Sequence, residues 1–297
     1  MSTTTSHDLV VIGAGVAGLA AAREALRAGL STAFLEAQMF GGLILNVNEL
    51  DGAMAGNGAE FASTLMAEVV DLGGENLEAV AAGVETEGEG LVVMSDAGRH
   101  RARAVVVASG AAIRKLGVTG EAELEHKGVS HCADCDGPMF DGQAVTVVGG
   151  GDSALQSAVV LAGYCKHVHL VHRGQAFTAK PHWQDAVRTA ANIEVHLGSE
   201  VSEVLGTEGV EGVRVGGEVI PCSGFFAFVG LEPNSAFLPG SIARDERGAV
   251  VTSGSLETAL PGVYAAGAVR SGCGGMIEDA MAEGDAAARA VAARLRP

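Results

Sequence analysis

Asp8-Leu9-Val10-Val11-Ile12, followed at once by Gly13-Ala14-Gly15-Val16-Ala17-Gly18, is the stretch on which the fold turns. A short apolar run of this kind suits a strand buried on both faces of a parallel sheet. The glycines at 13, 15 and 18 let the turn close, let a pyrophosphate reach the backbone, and let the next helix press on the sheet. That helix is expected to run to about Ala28 and stop at Gly29, offering its unpaired N–H groups and positive dipole end to phosphate. Ser31-Thr32-Ala33-Phe34-Leu35-Glu36 reads as the next strand, and Glu36 at its end would accept hydrogen bonds from a ribose and repel a 2′-phosphate. A glycine turn serving packing alone is the competing reading. The strand before it, the helix after it and the terminal acid together favour a dinucleotide site.

A second copy of the unit starts at Ala144. Val145-Thr146-Val147-Val148 is a buried strand, and Gly149-Gly150-Gly151-Asp152-Ser153-Ala154 is the fingerprint with Ala in the third position. His167-Val168-His169-Leu170-Val171 is the next strand, ending in His172-Arg173 where the first unit ends in Glu36. A basic residue there accommodates a 2′-phosphate, so the two units read as an FAD site followed by an NADP or NAD site. A solvated strand-end charge is the plainer reading of Arg173. Two further strands end in small-residue turns, Val105-Val106-Val107-Ala108-Ser109-Gly110 and Gly262-Val263-Tyr264-Ala265-Ala266-Gly267. Both suit strands returning to the first sheet, with glycine admitting a cofactor. The expected fold is therefore α/β with two Rossmann-like domains. A discontinuous FAD domain takes residues 1–116 and 239–297, and a nicotinamide domain carrying a cysteine pair, 117–238, is inserted in it.

Composition narrows the function. The 297 residues carry 36 acidic and 19 basic side chains, a formal charge of −17, which argues against nucleic acid or an anionic membrane as partner. Hydrophobic residues make up 48% of the chain, enough to fill two cores and to exclude global disorder. Met1-Ser2-Thr3-Thr4-Thr5-Ser6-His7-Asp8 lacks the basic and apolar pattern of a signal peptide, and the apolar stretch from Leu9 to Ala22 is cut by glycines. Five cysteines, an odd number in a long chain, fit a reducing compartment, so cytoplasm is the expectation.

Two of those cysteines sit in His131-Cys132-Ala133-Asp134-Cys135-Asp136-Gly137. Thiols at this spacing can close a tight disulfide and open it by thiolate attack. A zinc reading needs two more ligands, and no second CxxC or HxxxH supplies them, so no metal is assigned. A structural pair is the third reading. The two dinucleotide units beside the pair favour redox chemistry.

These motifs, in this order and spacing, resemble the low-molecular-weight thioredoxin reductases, from about Asp8 to the C-terminus. The resemblance implies a relay: hydride from NADPH or NADH to FAD, then electrons to the Cys132–Cys135 disulfide, then to a thioredoxin-like protein or a small disulfide. It implies domain rotation during turnover and a homodimer. It makes Cys135 the flavin-facing cysteine, Cys132 the one that attacks the external disulfide, and Asp136 the proton donor and acceptor. Gly41, Gly42, Ser109, Gly110, Gly267, Ala268 and Met276 fall at the family's flavin contacts. Gly149, Gly151, Asp152, Ser153, His172 and Arg173 fall at its nicotinamide contacts.

Several residues depart from the family. Leu43 replaces a Gln after Gly41-Gly42, Ala268 replaces an Asp that bonds the FAD ribityl chain, and Gly275-Met276 replaces Arg-Gln near the isoalloxazine. Each lost hydrogen bond is worth on the order of 1 kcal/mol, so FAD should bind more weakly in a drier surround. Of three family arginines at the nicotinamide strand end, Arg173 alone remains, with Thr178 and Lys180 nearby, which leaves NADPH against NADH open. Asp134 disfavours a neighbouring thiolate by roughly 1 kcal/mol if solvated, and a protonated His131 would offset it. Cys165, Cys222 and Cys273 read as bystanders. Two other functions compete: an oxygen-dependent dithiol oxidase that installs disulfides in small molecules, and a non-catalytic redox sensor of the same fold.

Overall fold

Leu9, Val10 and Val11 are wholly shielded from solvent, because the strand Thr5–Ile12 has a parallel neighbour on each side and an apolar core on each face. In this computed structural model, which describes residues 5–47, 50 and 56–296, that strand is the centre of a seven-stranded sheet. Thr32–Leu35 and then Glu75–Leu77 continue it in parallel on one side. On the other lies Gly98–Val107, whose ten residues serve two further partners on their far edge. Its first half closes an antiparallel meander with Gly90–Ser95 and Ala81–Glu87, and its last three positions pair in parallel with Val263–Ala265.

The helix Val16–Arg27 crosses from Thr5–Ile12 to Thr32–Leu35, and Gly29, at φ +82°, follows its C-cap in the left-handed conformation. It buries Leu19 and five alanines on the sheet and on the last helix, Ile277–Leu295. The helix Gly58–Asp71 completes this layer. Asn57 caps it by accepting the Glu60 N–H at 2.9 Å, and the Glu60 side chain reciprocates.

The chain divides into two compact units, Met1–Ala112 with Glu232–Pro297, and Ile113–Leu231. The second holds a five-stranded parallel sheet in the order Ile193–Leu197, His167–His172, Ala144–Val148, Gly224–Ala227, Val129–Ser130. One face packs on the helices Asp152–Ala162 and Pro181–Thr189 through Leu155, Leu161, Leu170 and Phe226. Val171, Phe225 and Ala227 on the other face join a core with Val204 and Val213 of a three-stranded antiparallel sheet, Val201–Gly206, Val210–Val215 and Glu218–Pro221. No helix among the described residues is long and apolar enough to cross a membrane.

Candidate active site

The first fingerprint closes as a cradle. Gly13 has φ +100°, and a Cβ there would lie 2.5 Å from the Ala108 carbonyl oxygen. A Cβ on Gly18 would lie 1.9 Å from the Gly13 oxygen, so neither position admits a side chain. Gly15 differs: the nearest atom to its Cβ position is 3.8 Å away, so the space ahead of the helix is open. Gly15 is the N-cap and offers no side chain to the first-turn N–H groups. Open space lined by unpaired N–H groups at a helix N-terminus is what a pyrophosphate requires. Glu36 stands beside it, with one carboxylate oxygen accepting the Ala14 N–H at 3.1 Å and the other the Gln38 N–H at 3.0 Å.

The remaining loops of this unit gather at the same strand ends. Gly41 donates its N–H to the Ala14 carbonyl at 2.7 Å and forms a bridge with Gly15; Gly42 begins a short helix, Gly42–Asn46, that leaves Leu43 exposed. Ser109 donates its hydroxyl to the Asn234 carbonyl at 2.7 Å, while the Asn234 amide returns a bond to the Ser109 carbonyl at 2.9 Å, and the Asn234 N–H bonds Gly110. Gly267 lies against Ala17, and its N–H is held at 2.8 Å by Glu283, which also pairs with Arg270. Ala268 is half-buried beside it, and Met276, capping the last helix, is exposed. The glycine turns, the open helix terminus and Glu36 fit FAD, and the other loops of the unit carry apolar Leu43, Ala268 and Met276. Asn234, Arg270 and Glu283 are the residues that sequence reading missed. Their partners lie 13 to 125 positions away, and no local pattern marks them.

The second fingerprint has the same open helix start, Gly151 capping Asp152–Ala162 without a side-chain bond. Asp152 accepts the Lys180 N–H at 2.7 Å, and Ser153 lies exposed in the first turn. Gly149 could carry no Cβ, which would lie 2.4 Å from the Phe228 oxygen. Gly150 is required for another reason: its Cβ position lies 2.3 Å from the His172 ring, which stacks on Phe177 and bonds the Ala176 carbonyl. His172 thus fills space under the fingerprint. Arg173 is exposed and makes no ion pair among the described residues.

Cys132 and Cys135 are joined as a disulfide. Cys132 is half-buried and caps the single turn Ala133–Asp136, and Cys135 is exposed. The Cys135 N–H points at the Cys132 sulfur at 3.1 Å, a contact that favours a thiolate there once the bond is open. Ser130, at the end of a strand, ties the site together. Its hydroxyl donates to the Asp136 carboxylate at 2.6 Å and accepts the Cys132 N–H at 3.2 Å. Sequence reading passed over Ser130, although a serine two residues before a turn is a common local acceptor. His131 lies 2.9 Å from Glu125, which also binds Lys115 at 2.8 Å. Burial works against the Glu125 charge, but Lys115 and His131 outweigh it and hold the carboxyl low. His131 thus has a carboxylate partner other than Asp134.

The other thiols are quiet. Burial pushes Cys165 up to about 11 and raises Cys222 and Cys273 as well, so none is a ready thiolate at neutral pH.

Two dinucleotide-binding units and a disulfide across a single turn define an FAD-dependent thiol–disulfide oxidoreductase. The family described as pyridine nucleotide-disulphide oxidoreductase matches residues 7–289. A thioredoxin reductase from Listeria monocytogenes is 36% identical over 291 residues, covering 89% of this chain and 86% of its own. The solved thioredoxin reductase of Lactococcus lactis superposes with a TM-score of 0.91 at 31% identity, over 97% of this chain and 100% of that one. That of T. acidophilum gives 0.90 at 30% identity, over 97% and 98%. The chain belongs to the pyridine nucleotide-disulphide oxidoreductase family. These likenesses favour neither the dithiol-oxidase nor the redox-sensor reading.

Proposed function

We propose that the protein passes electrons from NADPH or NADH through FAD and the Cys132–Cys135 disulfide to the disulfide of a thioredoxin-like protein. The observation that carries this reading is the partly exposed Cys132–Cys135 disulfide, set on the same unit as the second fingerprint. In this reading the first unit holds FAD: Gly13, Gly15, Gly18 and the helix terminus take the pyrophosphate, Glu36 the ribose, and Gly41, Gly42, Ser109, Gly110, Gly267, Ala268 and Met276 border the rest. The second holds the nicotinamide dinucleotide through Gly149, Gly151, Asp152, Ser153, His172 and Arg173. Bound FAD supplies a two-electron carrier between nicotinamide and disulfide.

The chain's own residues do the rest. Two electrons open the S–S bond and two protons complete the dithiol, with Asp136, fixed by Ser130, placed to hold one of them. Cys132, steadied as thiolate by the Cys135 N–H, attacks one substrate sulfur and releases the other as a thiolate. Cys135 then attacks the Cys132 sulfur of the mixed disulfide, re-forming the internal bond and freeing the reduced substrate. Arg173 is the one cation of the strand end with no ion pair among the described residues, since Lys180 lies 3.8 Å from Asp152. A single exposed arginine distinguishes the two donors by about fivefold or less. The reading includes a homodimer working in the cytoplasm.

Anaerobic titration of the yellow protein tests it. NADPH or NADH should bleach the flavin band, and added thioredoxin disulfide should restore it. Absence of bleaching by both donors would overturn the reading.

A further inference from the structure

On the sheet face away from the helices of the second unit, four metal-ligating side chains meet. His167 and His169 lie two residues apart on one strand, so both rings stand on the same face. Glu194 and His196 lie two apart on the parallel neighbour, and the register sets Glu194 opposite His169 and His196 opposite Val171. His167 Nε2 is 3.0 Å from Glu194 Oε2, and His169 Nδ1 is 3.5 Å from the same oxygen. His169 Nδ1 is 3.2 Å from His196 Nε2, which is 3.8 Å from Glu194 Oε1. The His167 and His169 rings are 4.4 Å apart.

We propose that His167 Nε2, His169 Nδ1 and the Glu194 carboxylate, with His196 Nε2 beside them, form a site for one divalent transition ion of the zinc class. Ligand atoms around a tetrahedral ion at about 2.05 Å stand roughly 3.3 Å apart, and the four separations bracket that value. The donor set is imidazole nitrogen with one carboxylate, which suits zinc, nickel or copper and not magnesium or calcium. Hydrogen bonds alone account less well for the crowding, because His169 Nδ1 faces both Glu194 and His196 with a single proton or a single lone pair and so serves one of them, whereas all of these atoms can turn lone pairs towards one point. One cation accepts them together. Bound there, the ion would clip the edge strand Ile193–Leu197 to its neighbour. None of the four residues belongs to the disulfide or the fingerprints. The sequence reading assigned no metal ligand because it looked for Cys and HxxxH spacing, whereas this set forms only when two strands pair.

The test uses the purified full chain, chelator-treated and dialysed, with Cys132–Cys135 oxidised, titrated with Zn2+ by calorimetry and checked by elemental analysis. The wild type should bind one equivalent and gain thermal stability from it. Loss of a ligand should weaken that binding by tenfold or more in the His167→Gln, His169→Gln double variant. Glu194 is on the exposed edge, so Glu194→Gln, with an unchanged flavin spectrum, should weaken it without unfolding the chain. The double variant Cys132→Ser, Cys135→Ser should bind Zn2+ as the wild type does. No saturable binding by the wild type, or binding undiminished in Glu194→Gln and in the histidine variant, would overturn the proposal.

Discussion

Ser130 holds the reactive turn by two hydrogen bonds, and it makes the residues of the pair unequal. Cys132 has a backbone donor at its sulfur and is half-buried, while Cys135 is exposed. Either Cys132→Ser or Cys135→Ser should reduce thioredoxin turnover to background while leaving anaerobic flavin bleaching by the nicotinamide intact. Stopped-flow absorbance beside a disulfide-reduction assay checks both halves. Ala268 makes a second prediction at this scale. On the proposed flavin site, Ala268→Asp should add one hydrogen bond to bound FAD, worth about 1 kcal/mol, or roughly a fivefold gain in FAD affinity. Fluorescence titration of the flavin-stripped variant against wild type measures it. The cysteine pair was readable from its spacing alone. Its support was not, since Ser130 gains meaning only when the turn brings Asp136 back to it.

At the scale of elements, close approach decides more than polarity does. The helices Val16–Arg27 and Ile277–Leu295 touch at Gly284, where a Cβ would lie 2.2 Å from the Ala17 carbonyl oxygen. Gly284→Ala should therefore destabilise the protein by about 1–3 kcal/mol and loosen FAD, because Ala17 is in the first turn of the helix proposed to take the pyrophosphate. Urea denaturation and flavin retention on dilution report the two effects. In the second fingerprint, Gly150→Ala should collide with the His172 ring and weaken nicotinamide binding. His172→Ala in the same chain should recover part of the loss, a coupling that a double-mutant cycle on donor affinity would detect. The strand–turn–helix units were legible because glycine spacing and apolar runs are local signals. The antiparallel meander and the three-stranded sheet were not anticipated, since alternating strands such as Val210–Val215 carry weak patterns that become definite only when paired.

For the whole molecule, shielded histidines make stability fall in mild acid. Burial, aided by the neighbouring His167 charge, pushes His169 down to about 4, and burial, with His7 nearby, lowers His100. A histidine whose folded value lies below its unfolded one takes up its proton in the unfolded chain first. Stability from His169 is thus complete above about pH 6.5 and declines as the pH falls towards 4. Urea midpoints measured in chelator from pH 7.5 to 4 should show that decline in the wild type, and His169→Gln should remove part of it. Paired carboxylates such as Asp8 and Glu87, held low, contribute their losses only at more acid pH.

The sequence by itself determined the two dinucleotide-binding units, the discontinuous α/β plan and the reactive cysteine pair. The units and the pair rest on residues within a single strand–turn–helix or a single turn, where short-range geometry dictates residue type, and the discontinuity rests on small-residue turns at Gly110 and Gly267. Only the tertiary structure decided that Glu283 and Arg270 brace Gly267, that His172 fills the space under Gly150, and that His167, His169, Glu194 and His196 share one face. Those contacts join residues 13 to 27 positions apart in sequence or on separate strands. Sheet register and helix crossing, which no local pattern encodes, bring them within reach.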